Sequence, residues 1–209
     1  MTTQTDATTT TAETDPGAGA PDGRRQRSEA SRTRIVQAMI ALVSEGHTLP
    51  SAEAVATRAG VGLRTVFRLF KDMDSLYRGM QSELTDRIGT LIEAPLAGAT
   101  WRERLDCLIE RRSRAFEAIL PLQIAADAQR HRSPALQEGR ARLVRIQREA
   151  LLGLLPPAVR ADATLLEALD LALSFEAWRR LRTDQGQGPV AALGVMRRMA
   201  ALLAAGAGP

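Results

Sequence analysis

From Glu29 onward the apolar residues fall at helical spacing. Ile35, Ala38, Met39, Leu42 and Val43 recur every three or four positions and trace one stripe. Gly46 predicts the end of that helix. Pro50 and Ser51 open a short second one, with Ser51 as its cap and Val55, Ala56 and Ala59 turned inward. Gly60 breaks it. The run from Gly62 to Arg68 starts a third helix that reaches towards Phe70, and Asp72 caps a fourth that extends to about Glu93, before Pro95. Thr100-Trp101-Arg102-Glu103 is a capping box, predicting a helix to about Ile119. Pro121 then predicts a shorter helix to about Arg130, and Ser133-Pro134 opens one to about Leu154. After the Pro156-Pro157 break, Asp162 caps a helix expected to continue through Arg182, and Pro189 opens the last, to about Ala205. No segment alternates convincingly with period two, and no repeat of fixed period occurs. The pattern is all-α, with about nine helices. Met1 to Gly23 lacks it: Thr, Ala and Gly with Pro16 and Pro21 cannot bury enough surface to offset their ordering entropy, so 1–23 reads as a disordered tail.

Composition sharpens this picture. Hydrophobic residues make up 44% of the 209 positions but aromatics only 3%, so Ala, Leu and Val carry the packing, which favours helices. The single Cys, Cys107, excludes an internal disulfide framework, and in its apolar-periodic helix it reads as a small buried hydrophobe. His47 and His131 lie far apart with no second ligand at useful spacing, so no metal site is expected. No glycine-rich phosphate loop, nucleophile–base arrangement or paired carboxylate occurs; the expectation is a non-enzyme with no cofactor. With no apolar run of about 18 residues and no signal-peptide core, a soluble cytoplasmic chain without membrane contact is expected.

The net charge of +4 is unevenly spread. The tail carries Asp6, Glu13, Asp15 and Asp22 and no base, whereas residues 24–90 hold eleven bases against seven acids. Lys71 is the only lysine, so the excess is almost wholly Arg. Guanidinium pairs bidentately with phosphate, but codon usage in a GC-rich genome explains the same bias. Arg24, Arg25 and Arg27 have two readings: the solvated start of a helix, or a basic arm that reaches DNA.

Residues 34–77 resemble the DNA-binding domain of TetR-type (tetracycline-repressor-like) transcriptional regulators. The resemblance lies in Arg34-Ile35-Val36-Gln37-Ala38, in the continuous run Ser51 to Phe70, and in Asp74-Ser75-Leu76-Tyr77 at the start of the fourth helix. It implies a helix-turn-helix at 51–70 within a DNA-binding domain at 24–78, followed by a helical effector-binding and dimerisation domain at 79–209. The residues agree: Val55, Ala59, Val61, Val66 and Phe70 can pack on Ile35, Met39 and Leu42, with Gly60 making the turn. The third helix would point Leu63, Arg64, Thr65 and Arg68 into the major groove, where an Arg can fork onto guanine. The chain departs from the family pattern at Pro50, Gly62, Phe67 and Met73, each lacking a hydrogen-bond donor that the family uses on the DNA backbone. Arg32, Lys71 and the Arg24, Arg25 and Arg27 arm are candidates to compensate. Ser51, Gly62 and Phe67 complete the expected DNA-facing set.

Two later helices carry stripes wider than one face needs, among them Leu169, Leu173, Trp178, Leu193, Met196 and Met199, and the family uses such a pair as a four-helix homodimer interface. Two copies would then read a palindromic double-stranded operator, the protein acting as a repressor that a small-molecule effector releases. Met80, Trp101, Phe116, Leu120, Leu122, Gln123, Ile124, Phe175 and Trp178 are the candidates for an effector cavity, each also readable as plain core. The cluster Arg111, Arg112 and Arg114 suits either an anionic ligand or a solvated face, and Asp127 and His131 are scattered polar candidates. The other reading is a helical ligand-binding or protein-interaction module whose helix-turn-helix no longer reads DNA.

Overall fold

A computed structural model of the chain describes residues 20–206, and among them every regular element is helical. In chain order these are α1 (Ala20–Ser44), α2 (Ala52–Ala59), α3 (Leu63–Leu69), α4 (Met73–Glu93), α5 (Trp101–Gln129), α6 (Pro134–Leu154), α7 (Pro157–Ala161), α8 (Ala163–Ala172), α9 (Phe175–Arg179) and α10 (Pro189–Ala204). A short 3-10 turn joins α5 to α6, and a π turn, Arg180–Asp184, follows α9. No described helix is long and apolar enough to cross a membrane. The tail expected to be disordered lies outside the described residues as far as position 19; its last four residues belong to α1, which accommodates Pro21 in its first turn.

The first three helices form a small core. Ile35, Met39, Leu42, Val55, Ala59, Val66 and Phe70 are buried together and Val61 packs against them half-buried, as the stripe predicted. α4 starts from an Asp72 cap, with the Ser75 N–H donating to Asp72 Oδ1 at 2.8 Å. Gly79 lets this helix press on the core: a Cβ there would sit 3.1 Å from Val36 and 3.3 Å from Phe70. Leu76, Met80, Leu84 and Ile88 continue its buried stripe into the second half of the molecule. The boundary expected after Arg78 therefore falls inside α4, which serves both halves.

The structure corrects three expectations about the later helices. Pro121 does not start a helix; α5 runs through it, because Phe116, Ile119, Leu122 and Ala125 bury one continuous face on both sides. That packing outweighs the roughly 3 kcal/mol a helix-interior proline costs. The helix from Asp162 does not reach Arg182 unbroken. Ser174 turns extended, and its Oγ accepts from the Ala177 N–H at 3.2 Å, capping α9 locally. Two buried side chains fill the break: Arg112 Nη1 donates to the Leu173 carbonyl at 2.9 Å, and the Phe175 N–H donates to Gln147 Oε1 at 3.2 Å.

The third correction concerns the dimer stripe. Leu169, Leu173, Trp178 and Met196 lie at or below 1% exposure, in the core of their own chain. α8 and α10 pack on each other and α10 packs on α5, so the inner half of each broad stripe is consumed within the protomer. Leu193 and Met199 are half-buried. The outward apolar residues are Leu171, Val190, Val195 and Leu202, with Ala191, Gly194 and Ala201 beside them on α10.

Candidate nucleic-acid interface

Ser51 opens α2 by accepting the Ala54 N–H on its hydroxyl at 3.2 Å. The helix ends at Gly60, whose φ of 64° is the left-handed conformation that glycine adopts without a Cβ penalty. There the Gly60 N–H donates to the Thr57 carbonyl and the Val61 N–H to the Ala56 carbonyl, closing a Schellman turn. That turn aims α3 across α2, with Val66 and Phe70 sealed into the core.

What remains outside on α3 is a face of three side chains, Arg64, Phe67 and Arg68, all exposed, Phe67 at 50%. Leu63 and Thr65 flank this face half-buried, Leu63 packed against the core. Gly62, at the N-cap, and Lys71, just past the helix, are exposed at its two ends. Arg68 also borders an open groove with Arg24, Arg25, Arg27, Ser28, Glu29 and Ser31. The arm and the third helix thus lie on one side of the molecule, which sequence spacing alone did not establish.

Arg32 has a different placement. Its Nη1 donates to the Leu69 carbonyl at 2.9 Å, and its guanidinium lies 4.3 Å from the centre of the Phe70 ring. A cation at the C-terminus of α3 satisfies an orphan carbonyl and complements the helix dipole. The Ser51 hydroxyl is likewise engaged in capping. Arg58, which sequence reasoning passed over, forms a two-pronged bridge to Glu45 between α2 and the end of α1. The Arg58 hydrogen bonds hold the Glu45 carboxyl below the usual carboxylate range. Arg58 and Glu45 sit thirteen residues apart, and no local pattern signals the pairing.

Asp74 connects this region to the second half. Its Oδ1 accepts from Ser133 Oγ at 2.5 Å, and the same hydroxyl accepts the Leu136 N–H to cap α6. Further along, α4, α5 and α6 enclose a cleft. One part, about 560 Å³ of space open in part to solvent, is lined by Gln81, Leu84, Thr85 and Ile88 of α4 with Gln123 of α5 and Arg142 of α6. An adjoining part of about 470 Å³ shares Ile88, Ile119, Leu143 and Ile146 and reaches Phe116, Arg111, Arg112 and Gln147. Of the expected effector-cavity residues, Phe116 and Gln123 line this cleft. Met80, Trp101, Phe175 and Trp178 are core, and Leu120 is half-buried away from it. Leu122 is also core, Ile124 is half-buried, and Arg114 is exposed and paired with Glu110. Ile88, Leu143 and Ile146 were missed because a cleft wall and a core stripe share one periodicity. Among the described residues no three His, Cys, Asp or Glu side chains gather to hold a metal ion.

No protein-family model matches the chain, and no curated protein matches it in sequence. Solved structures do. A protein provisionally described as a transcriptional regulator from Pseudomonas aeruginosa PAO1 is 17% identical, with a TM-score of 0.65 over 88% of this chain and 93% of that one. A TetR transcriptional regulator from Rhodococcus sp. RHA1 is 21% identical, with a TM-score of 0.57 over 88% of this chain and all of that one. A third, provisionally described as a transcriptional regulator from Streptomyces coelicolor A3(2), is 24% identical, with a TM-score of 0.59 over 81% and 98% of the two chains. At these identities the likeness carries the fold: the chain has the all-helical architecture of TetR-type regulators.

Proposed function

We propose that the chain is a sequence-specific DNA-binding transcriptional regulator, working in the cytoplasm as a homodimer on a palindromic operator. The observation that carries this reading is the outer face of α3, where Arg64 and Arg68 stand exposed and Arg68 borders one groove with the Arg24, Arg25 and Arg27 arm. Either guanidinium can fork onto guanine O6 and N7, worth roughly 1–3 kcal/mol of discrimination, while the arm and Lys71 meet phosphates. The dimer contact is assigned to the outer faces of α8 and α10, around Leu171, Val190, Val195 and Leu202. A two-fold axis there gives two α3 helices separated by about one turn of DNA.

Release follows from α4. It leaves the small core immediately after α3 and forms one wall of the cleft with Gln81, Leu84 and Ile88. A ligand that fits a wider cleft better than a narrow one shifts α4, and with it the spacing of the two α3 helices. A coupling of roughly 1–3 kcal/mol changes operator affinity about 5- to 150-fold, enough for a repressor lifted by its effector.

The test is selection of genomic fragments by the purified protein at near-physiological salt, with footprinting of the winners. An enriched inverted repeat protected in two halves supports the regulator. Salt-labile binding without a preferred sequence overturns it and favours the second reading, an interaction module. The observation behind that reading is Phe67, an apolar ring exposed in the middle of the proposed DNA-facing surface.

A further inference from the structure

Arg112 is 5% exposed in the second half of the molecule, on the wall of the cleft between α4, α5 and α6. Its hydrogen bonds go to two neutral acceptors, the carbonyls of Leu173 and Gln147. No carboxylate of the described residues lies within ion-pair distance of it. Asp170 acts on it only through space and itself bonds Arg148 at 3.1 Å. Burial pushes the Arg112 guanidinium down to about 10, with Asp170 opposing weakly, so at neutral pH the group is still a cation. A buried cation without a counter-charge is costly, and the site remains electrostatically incomplete.

Gln147 lines the same wall and is 8% exposed. Its orientation is fixed, because the Phe175 N–H donates to Oε1 and a flipped amide would set donor against donor. That leaves Nε2 buried with no hydrogen-bond partner. An orphaned amide donor beside an unneutralised guanidinium calls for one group, an anionic acceptor. Apart from Arg111, whose guanidinium donates to the Ala94 and Pro95 carbonyls, the rest of the wall is apolar, with Leu108, Phe116, Ile119, Leu143 and Ile146. The cleft continues along α5 from Arg112 to Gln123, a run of about 16 Å at 1.5 Å per residue.

We propose that the cleft binds an amphipathic monocarboxylate, its head on Gln147 Nε2 beside Arg112 and its apolar chain along α5 between α4 and α6. The proposal rests on the regulator reading only in calling this molecule the effector; the binding itself does not depend on DNA. The head would sit at the α8–α9 break, which Arg112 and Gln147 already hold together, and the chain would press on Ile88 of α4. One ligand therefore touches both the helix leading to the DNA-facing end and the segment carrying the outer dimer face.

The experiment is calorimetric titration of the full chain, without DNA, with decanoate, methyl decanoate and decyltrimethylammonium. Decanoate is expected to bind at one site per chain, at least about tenfold tighter than its uncharged ester, with the cation weakest. Gln147→Glu keeps the acceptor for Phe175 and supplies Arg112 with a carboxylate. It should retain the native melting temperature, lose decanoate affinity by about tenfold or more and leave the ester little changed. Ile146→Trp, which fills the cleft, should abolish binding of both. Absence of decanoate binding, equal affinity for acid and ester, or variants that bind decanoate as the native chain does would each overturn the proposal. Because no DNA is present, those failures leave operator recognition standing, and a chain without operator preference can still show the acid selectivity.

Discussion

Replacing Arg32 with Ala should weaken operator binding without changing its dependence on salt. Arg32 donates to the Leu69 carbonyl at 2.9 Å and stacks on Phe70 at 4.3 Å, holding the last turn of α3 to α1. A charged hydrogen bond at this exposed site contributes about 1 kcal/mol, and the cation–ring contact about 0.5–1 kcal/mol. Their joint loss, about 1.5–2 kcal/mol, lowers the melting midpoint of a chain this size by roughly 3–8 °C. Arg32→Lys keeps the charge but loses the planar stack and should fall between the two. Fluorescence anisotropy of a labelled operator across a salt series supplies the second readout. A phosphate contact, lost from both copies of a dimer, would reduce the log–log slope by about 1.8, whereas a positioning residue leaves the slope unchanged. Arg25→Ala is the control with the opposite signature, a smaller slope with an unchanged melt. An Arg32→Ala protein that melts normally and has a reduced slope would show Arg32 on a phosphate, and the positioning argument would be wrong.

Joint replacement of Arg64 and Arg68 by Ala should erase preference for the operator, at roughly 1–3 kcal/mol per guanine contact, and leave thermal stability unchanged, because both side chains are exposed; a competition assay against unrelated duplex checks this. Val195→Glu with Leu202→Arg, on the outer face of α10, should give a helical monomer by light scattering, whereas Met196→Ala, at 0% exposure, should cost about 2–5 kcal/mol of stability. Dimer retained in the first variant would place the contact elsewhere. Glu117 accepts from Arg182 and from Trp178 Nε1, and the Arg182 hydrogen bonds hold its carboxyl below the usual range. Its contribution is full above the unfolded value of about 4.3 and is lost as pH falls through the lower folded value. The native melting temperature should drop faster than that of Glu117→Gln below about pH 5, and parallel curves would disprove the coupling.

The elements that could be read from sequence are those that local chemistry punctuates. The Ser51, Asp72, Thr100, Ser133 and Asp162 caps each appear where the pattern placed them, because a cap needs only a side-chain oxygen and an N–H three residues on. What misled was punctuation that tertiary packing overrode or supplied. Pro121 reads as a start, yet α5 keeps going because its face is buried on both sides. Leu173-Ser174 reads as helix interior, yet the chain breaks where Arg112 and Gln147 bring hydrogen bonds from 61 and 28 residues away. Periodicity also says that a stripe is buried without saying against what. Leu169 and Met196 face the same chain, while Leu171 and Val195 face outward, and the stripe alone does not separate them.

The arginine-rich composition, which codon usage explains equally well as a bias, takes several placements in the structure, two of which contrast. Several arginines clamp distant helices with their planar fork: Arg148 holds Glu167 and Asp170, Arg182 holds Glu117, and Arg197 holds Asp106. Arg24, Arg25, Arg64 and Arg68 make no hydrogen bond or ion pair among the described residues. Codon usage accounts for Arg over Lys but not for leaving such a set together on one side. Arg24, Arg25, Arg27 and Arg68 border one groove in which Glu29 is the sole acid among the described residues, so a bound polyanion would relieve their mutual repulsion. Anything that binds the folded state alone raises its stability by mass action. Unrelated duplex DNA at low salt should therefore raise the melting midpoint of the native chain and have little effect on a variant with Ala at positions 24, 25, 27 and 68. The shift should shrink as salt rises, since released counterions supply the driving force. An equal shift in both proteins would locate the duplex on another surface and remove the arm from the DNA-facing set.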